Sequence, residues 1–153
     1  MRGQEAREQA GRKAAMATLA RAGGDEMLRL WADAGLPEDA EMLRGPETGL
    51  VTVRGRIGGG GAPFNVGEAT VTRATVRLPS GHVGHSYALG RDKRKARLAA
   101  IADALWQDPA RREEIEARII APLRAEHEKA HEQRRAETAA TKVDFFTMVR
   151  GED

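Results

Sequence analysis

Apolar residues along this chain keep two different periods, and the switches between them mark out its elements. Met27, Leu30, Trp31 and Ala34 fall at i, i+3, i+4 and i+7, one face of a helix that starts from Asp25 as N-cap and stops at Gly35 and Pro37. After Pro46 the period drops to two. Val51, Val53 and Ile57 alternate with Leu50, Thr52, Arg54 and Arg56, the pattern of a half-buried strand. Gly58 to Gly61, with Ala62 and Pro63, turns the chain into a second alternating run from Ala69 to Leu78, where Thr72, Ala74, Val76 and Leu78 oppose Val71, Arg73, Thr75 and Arg77. Pro79-Ser80-Gly81 is a tight turn into a third strand, His82 to Leu89. Short turns between successive strands predict an antiparallel meander, and Ala40 to Arg44 is expected to add a fourth strand at one edge.

The helical period returns after Gly90. Asp92 caps a helix whose Leu98, Ile101, Ala102 and Leu105 share a face, and which runs to Trp106 or Gln107 before Asp108-Pro109. A further helix, Arg111 to Thr141, carries Ile115, Ile119 and Ile120 early, is bent or interrupted at Pro122, and is charged all round afterwards. From Leu123 it acts as a spacer on the order of 28 Å long. The first helix, Gln4 to Arg21, has only Met16 and Leu19 as sizeable apolar residues and is expected to be frayed. The fold class is α+β: an antiparallel β-meander of three to four strands packed against helices, then a long charged C-terminal helix and an extended tail. The organisation expected is a frayed helix at 1–24, a core domain at 25–122, and a charged helix with a docking tail at 123–153.

That tail holds two of the three phenylalanines. Between Arg124 and Lys142 no apolar side chain exceeds alanine. Burying one Phe stabilises by roughly 1.5 to 3 kcal/mol, and termini fray unless something of that size ties them down. Val143, Phe145, Phe146 and Met148 are therefore expected to dock on a surface of this chain or of a partner.

With 153 residues, 4% aromatic and 31% charged, the chain supports one modest core. It has no cysteine, which excludes thiolate chemistry on this chain and fits a reducing compartment. No signal-type apolar region opens the chain, and no run approaches the roughly 20 apolar residues of a membrane span, so a cytoplasmic, membrane-free protein is expected. The net charge of +2 makes overall attraction to nucleic acid weak and leaves any anion binding to local clusters.

Such clusters exist. Arg54, Arg56, Arg73 and Arg77 are expected on one sheet face, where like charges across paired strands repel unless something anionic lies between them. Arg91 and Lys93 open the basic run to Arg97 at a helix start, where the dipole disfavours cations. Two readings stay open: solvated faces with Glu47 and Glu68 as counter-charges, or a surface for a polyanion or an acidic protein. A basic nucleic-acid-binding module is the alternative function, although only Tyr87 offers a ring for stacking on the sheet.

His127-Glu128-Lys129-Ala130-His131 matches the H-E-x-x-H pattern of zinc hydrolases, but no apolar face shelters it and no third ligand follows. It is read as part of a solvated helix, with no metal expected. His82 and His85 are three apart in a strand, so they point to opposite faces. The glycines at 58–61 lack a following Gly-Lys-Ser/Thr and are read as a hairpin turn rather than a phosphate loop.

The motifs also occur in a telling order. Glu47-Thr48-Gly49-Leu50-Val51, the 58–61 glycines with Phe64, Gly67-Glu68-Ala69-Thr70-Val71-Thr72-Arg73 and Val76-Arg77-Leu78 come first. Gly90-Arg91-Asp92-Lys93, Asp103-Ala104-Leu105, Ile120-Ala121-Pro122-Leu123 and Val143-Asp144-Phe145-Phe146-Thr147-Met148-Val149-Arg150-Gly151 follow. Together, from about residue 25 onward, they resemble the PhnG family, a small subunit of the bacterial carbon-phosphorus lyase machinery. The resemblance implies an accessory or non-catalytic subunit, working with PhnI, PhnH, PhnL and PhnJ. It implies an assembly that joins the ribose triphosphate of a purine nucleoside triphosphate to an alkylphosphonate. It implies no catalytic residue and no cofactor on this chain.

Overall fold

The computed structural model describes residues 2–141. The expectations placed on Val143, Phe145, Phe146 and Met148 lie outside the described residues. In order, the elements are α1 (Arg2–Arg21), α2 (Gly24–Ala34), β1 (Glu41–Arg56), β2 (Pro63–Arg77), β3 (Val83–Leu89), α3 (Lys93–Gln107), α4 (Arg112–Ile115) and α5 (Ala121–Ala140). The three strands form one sheet in the order β1-β2-β3, each pair antiparallel, which is the α+β meander that the alternating runs predict.

One face of the sheet is the floor of the core. Thr72, Ala74 and Val76 of β2 alternate inward and are buried, as are Ser86 and Ala88 of β3. Against them lies α3, whose Ala96, Leu98, Ala99, Ala100, Ile101, Ala104 and Leu105 are buried. Alanines bring the helix backbone close to the strand: a Cβ at Gly84 would lie 2.5 Å from Ala104 N and closer still to Ala100 O. Met27 and Trp31 of α2, Ile115 of α4, Ile119 and Ile120 just after it, and Leu123 of α5 complete the core.

Helix ends follow local chemistry. Asp92 caps α3 as expected, its Oδ1 accepting from Lys95 N at 2.8 Å. The cap of α2 is Gly23 and not Asp25, which sits in the first turn where a carboxylate suits the helix dipole. Gly35 ends α2 in the left-handed conformation, φ 60°, where glycine carries no Cβ penalty. The interruption expected near Pro122 is present: residues Glu116–Ile120 form a π-turn, and α5 begins with the proline in its first turn. Beyond Leu123, α5 buries no residue.

Three expectations need correction. The fourth strand does not exist as a separate element, because Glu41 pairs with Arg77 and Met42 with Val76, so this segment is the start of β1 itself. Its register slips between Met42 and Arg44 and between Arg44 and Glu47, and the bulged edge position accommodates Pro46. The first helix is not frayed. Ala15 and Leu19 are buried, Gly11 packs on Trp106, Arg12 bonds both oxygens of Asp103, Lys95 Nζ bonds Ala20 O at 2.9 Å, and Arg112 pairs with Glu8. Finally, β1 is not half-buried: no position along it is fully buried, since the helical layer stops short of its second half.

Candidate functional site

The six cationic candidates fall into three groups rather than one field. Arg73 pairs in register with Glu47 and its Nη2 lies 3.0 Å from Glu47 Oε2. Arg77 pairs in register with Glu41 at 3.4 Å. Each is about half exposed, so these are surface ion pairs worth at most about 1 kcal/mol. The expected opposition of like charges is therefore absent: Arg54 faces Asn65 and Arg56 faces Pro63 across the ladder. Arg56 instead donates to Gly61 O at 3.0 Å, closing the turn.

Arg54 and Arg56 stand on a hairpin arm. Beyond Val71, β1 and β2 continue as a two-stranded ribbon, because β3 ends at Leu89 opposite Val71. The ribbon turns through a short 3-10 segment, Ile57–Gly59, in which Gly58 and Gly59 take φ of 60° and 76°. That backbone is what the glycine run supplies, and it accords with the hairpin-turn reading. Leu50, Val53, Ile57, Phe64 and Val66 on this arm are between 42% and 77% exposed. Leu50 lies two residues after Thr48, whose hydroxyl meets that of buried Thr72 at 3.0 Å, so Leu50 continues the core-facing side of the sheet past the helices. Val66 is the extra residue where the register shifts between Val53 and Arg54, and it rests on Gly55, where a Cβ would be 2.6 Å from Val66 Cγ2.

At the base of the arm the chain leaves β3 through Gly90. Its N–H bonds Thr70 O at 2.9 Å, and its carbonyl accepts from Thr72 Oγ1 at 2.7 Å. These bonds fix Arg91 and Lys93, both exposed, where the arm begins. Farther along α3, Arg97 pairs with Glu38 at 2.6 Å and also donates to Glu38 O. Among the described residues, no ion pair includes Arg54, Arg56, Arg91 or Lys93.

The other polar candidates are scattered. His127, Glu128 and His131 lie on the outer part of α5, and among the described residues no group of three or more His, Cys, Asp or Glu side chains is placed to hold a metal ion. His85 meets Thr75 Oγ1 at 3.2 Å and His82 meets Ser80 Oγ at 3.1 Å, apart from each other. Among the described residues no helix is long and apolar enough to cross a membrane.

Two buried charges escaped the sequence reading. Asp103, almost wholly inaccessible, accepts from Arg12, from His85 N at 2.9 Å and from Gln107. The hydrogen bond to Asp103, with its charge, raises the Arg12 pKa further. Lys95 is buried and its pKa is lowered by desolvation, which the charge of Asp92 offsets only in part. The one available signal was their placement amid the alanines of α3, where each interrupts an otherwise buried face. The exposed arm was likewise misread, since alternation reveals a face without revealing what covers it.

Known proteins align with this chain along nearly its whole length. The family model described as "Phosphonate metabolism protein PhnG" matches residues 10–151. A Rhizobium meliloti (strain 1021) protein, alpha-D-ribose 1-methylphosphonate 5-triphosphate synthase subunit PhnG, is 56% identical over 145 residues, covering 93% of this chain and 90% of that one. On the strength of both matches, the chain belongs to the PhnG family of phosphonate metabolism proteins.

Proposed function

We propose that this chain is a subunit of an α-D-ribose 1-methylphosphonate 5-triphosphate synthase and serves its assembly, with the reacting groups on another subunit. The observation that carries the reading is the 56% identity, over 93% of the chain, to a protein named as a subunit of that synthase. The geometry favours an assembly role over substrate handling. Arg73 and Arg77 already have carboxylate partners, and of the candidates without one among the described residues, Arg54 and Arg56 lie on a projecting ribbon and Arg91 and Lys93 at its base, rather than around a shared cleft.

The reaction assigned to the complex joins the ribose triphosphate of a purine nucleoside triphosphate to an alkylphosphonate, releasing the base, in phosphonate catabolism. Displacement at the anomeric carbon builds positive charge on the sugar and requires both anionic reactants to be held in place. The partners in this reading are PhnI, PhnH, PhnJ and PhnL, the compartment is the cytoplasm, and no cofactor resides on this chain. Phe145 and Phe146, with Val143 and Met148, belong to the partner-docking tail. Reconstituting the synthase with and without this chain tests the reading: turnover lost on omission is expected, and full turnover without it contradicts a required subunit.

A further inference from the structure

We infer that the hairpin arm, residues 49–69, seats in an apolar surface edged with carboxylates on a different subunit of the synthase; this rests on the subunit reading above. Five large apolar side chains, Leu50, Val53, Ile57, Phe64 and Val66, stand largely exposed on a ribbon two strands wide. A hairpin of that width is marginal in water by itself, and apolar residues gathered on one projecting element mark a surface for association. On the core-facing side Leu50 follows Thr48 past the end of α3, whereas Val53 and, across from Gly55, Phe64 alternate to the opposite side, where Val66 also rests on Gly55, so both sides of the ribbon carry apolar side chains. Among the described residues its outer edge is also open. β1 ends the sheet on this side, whereas α1 packs against β3 on the other. An unpaired edge next to exposed apolar side chains invites a partner segment.

Charge selects the occupant. The arm carries Arg54 and Arg56 and one acid, Glu68, near its base, where Arg91, Lys93 and Arg94 add three cations and Asp92 one acid. A second copy of the chain, pairing arm to arm, would bring four guanidinium groups together with no acid near the tips. Carboxylates at the rim of an apolar cleft satisfy both features, because a guanidinium group donates two parallel hydrogen bonds to one carboxylate.

The test co-expresses the full chain with the remaining synthase subunits and purifies through a tag on one of those subunits. Wild type and Lys129→Glu, an exposed α5 control, should be retained equally. Leu50→Asp with Phe64→Asp should lower retention more than tenfold. Arg54→Glu with Arg56→Glu should lower it several-fold, and more at low salt than at high salt. Because these side chains are exposed, each variant should melt within about 2 °C of wild type, which separates lost docking from lost folding. Retention of the arm variants alongside retained wild type overturns this inference alone, whereas failure to retain wild type overturns the subunit reading as well. Two further results overturn it: an isolated chain that is a dimer and becomes a monomer on Phe64→Asp, or salt-sensitive oligonucleotide binding abolished by the arginine pair.

Discussion

Arg12 and Asp103 join the N-terminal helix to the central one: Arg12 Nε and Nη2 donate to the two carboxylate oxygens of Asp103 at 2.9 and 2.8 Å. The carboxylate also accepts from the backbone of His85, so a single buried group ties α1, α3 and β3 together. Arg12→Met strands this carboxylate with only part of its compensation. The expected loss is about 3 kcal/mol, the low end for a broken buried pair because the guanidinium is about a third exposed. Asp103→Asn in the Arg12→Met background should cost much less than in wild type, a coupling that a double-mutant cycle in urea measures directly.

Packing of α3 on β3 depends on the missing side chain at Gly84. An added Cβ meets helix backbone, at 2.5 Å from Ala104 N, and neither partner is a flexible side-chain end that could move aside. Gly84→Ala is expected to destabilise by about 3 kcal/mol, the upper range for overpacking, and to lower the thermal midpoint accordingly. A melt unchanged by this substitution would show that the helix does not sit so close.

Lys95 makes stability depend on pH. Desolvation lowers its pKa in the fold below the ordinary lysine value of 10.5 that the unfolded chain retains. Between those two values the unfolded state binds more protons, so stability contributed at this site rises as pH rises through that window. Lys95→Met should flatten the stability profile there relative to wild type. A wild-type slope of the opposite sign, or none, contradicts a desolvated ammonium.

Arg73 and Arg77 should matter little. Both are half-exposed partners in surface ion pairs, so Arg73→Gln or Arg77→Gln is expected to shift stability by about 0.5 kcal/mol and to leave complex formation intact. Loss of assembly in these variants would move the interface from the arm to the outer face of the sheet.

Much of this fold is written in local periods. The i, i+3, i+4 spacing of Met27, Leu30 and Trp31, the alternation of Thr72, Ala74 and Val76, and the Asp92 cap all correspond to elements of the structure. Long-range events were not legible. Pairing of Arg73 with Glu47, and of Arg77 with Glu41, follows from a register set by two bulges around Pro46. The docking of α1 rests on polar links made far along the chain, from Arg12 to Asp103, 91 residues away, from Lys95 to Ala20 O and from Arg112 to Glu8, and on small residues such as Gly11 that carry no apolar signal. Of the candidate site, Arg54 and Arg56 were visible as cations, but their isolation at the end of an uncovered ribbon depends on where β3 and α3 stop. That is a property of tertiary structure alone.

The central claim, that this protein works as one piece of a larger synthase, is tested most directly by native mass spectrometry of the assembly purified through a tag on another subunit. The account predicts this chain in fixed whole-number stoichiometry with its neighbours, lost when the arm carries Leu50→Asp and Phe64→Asp. A free chain in the unbound fraction, with the remaining subunits fully assembled and active, would contradict it.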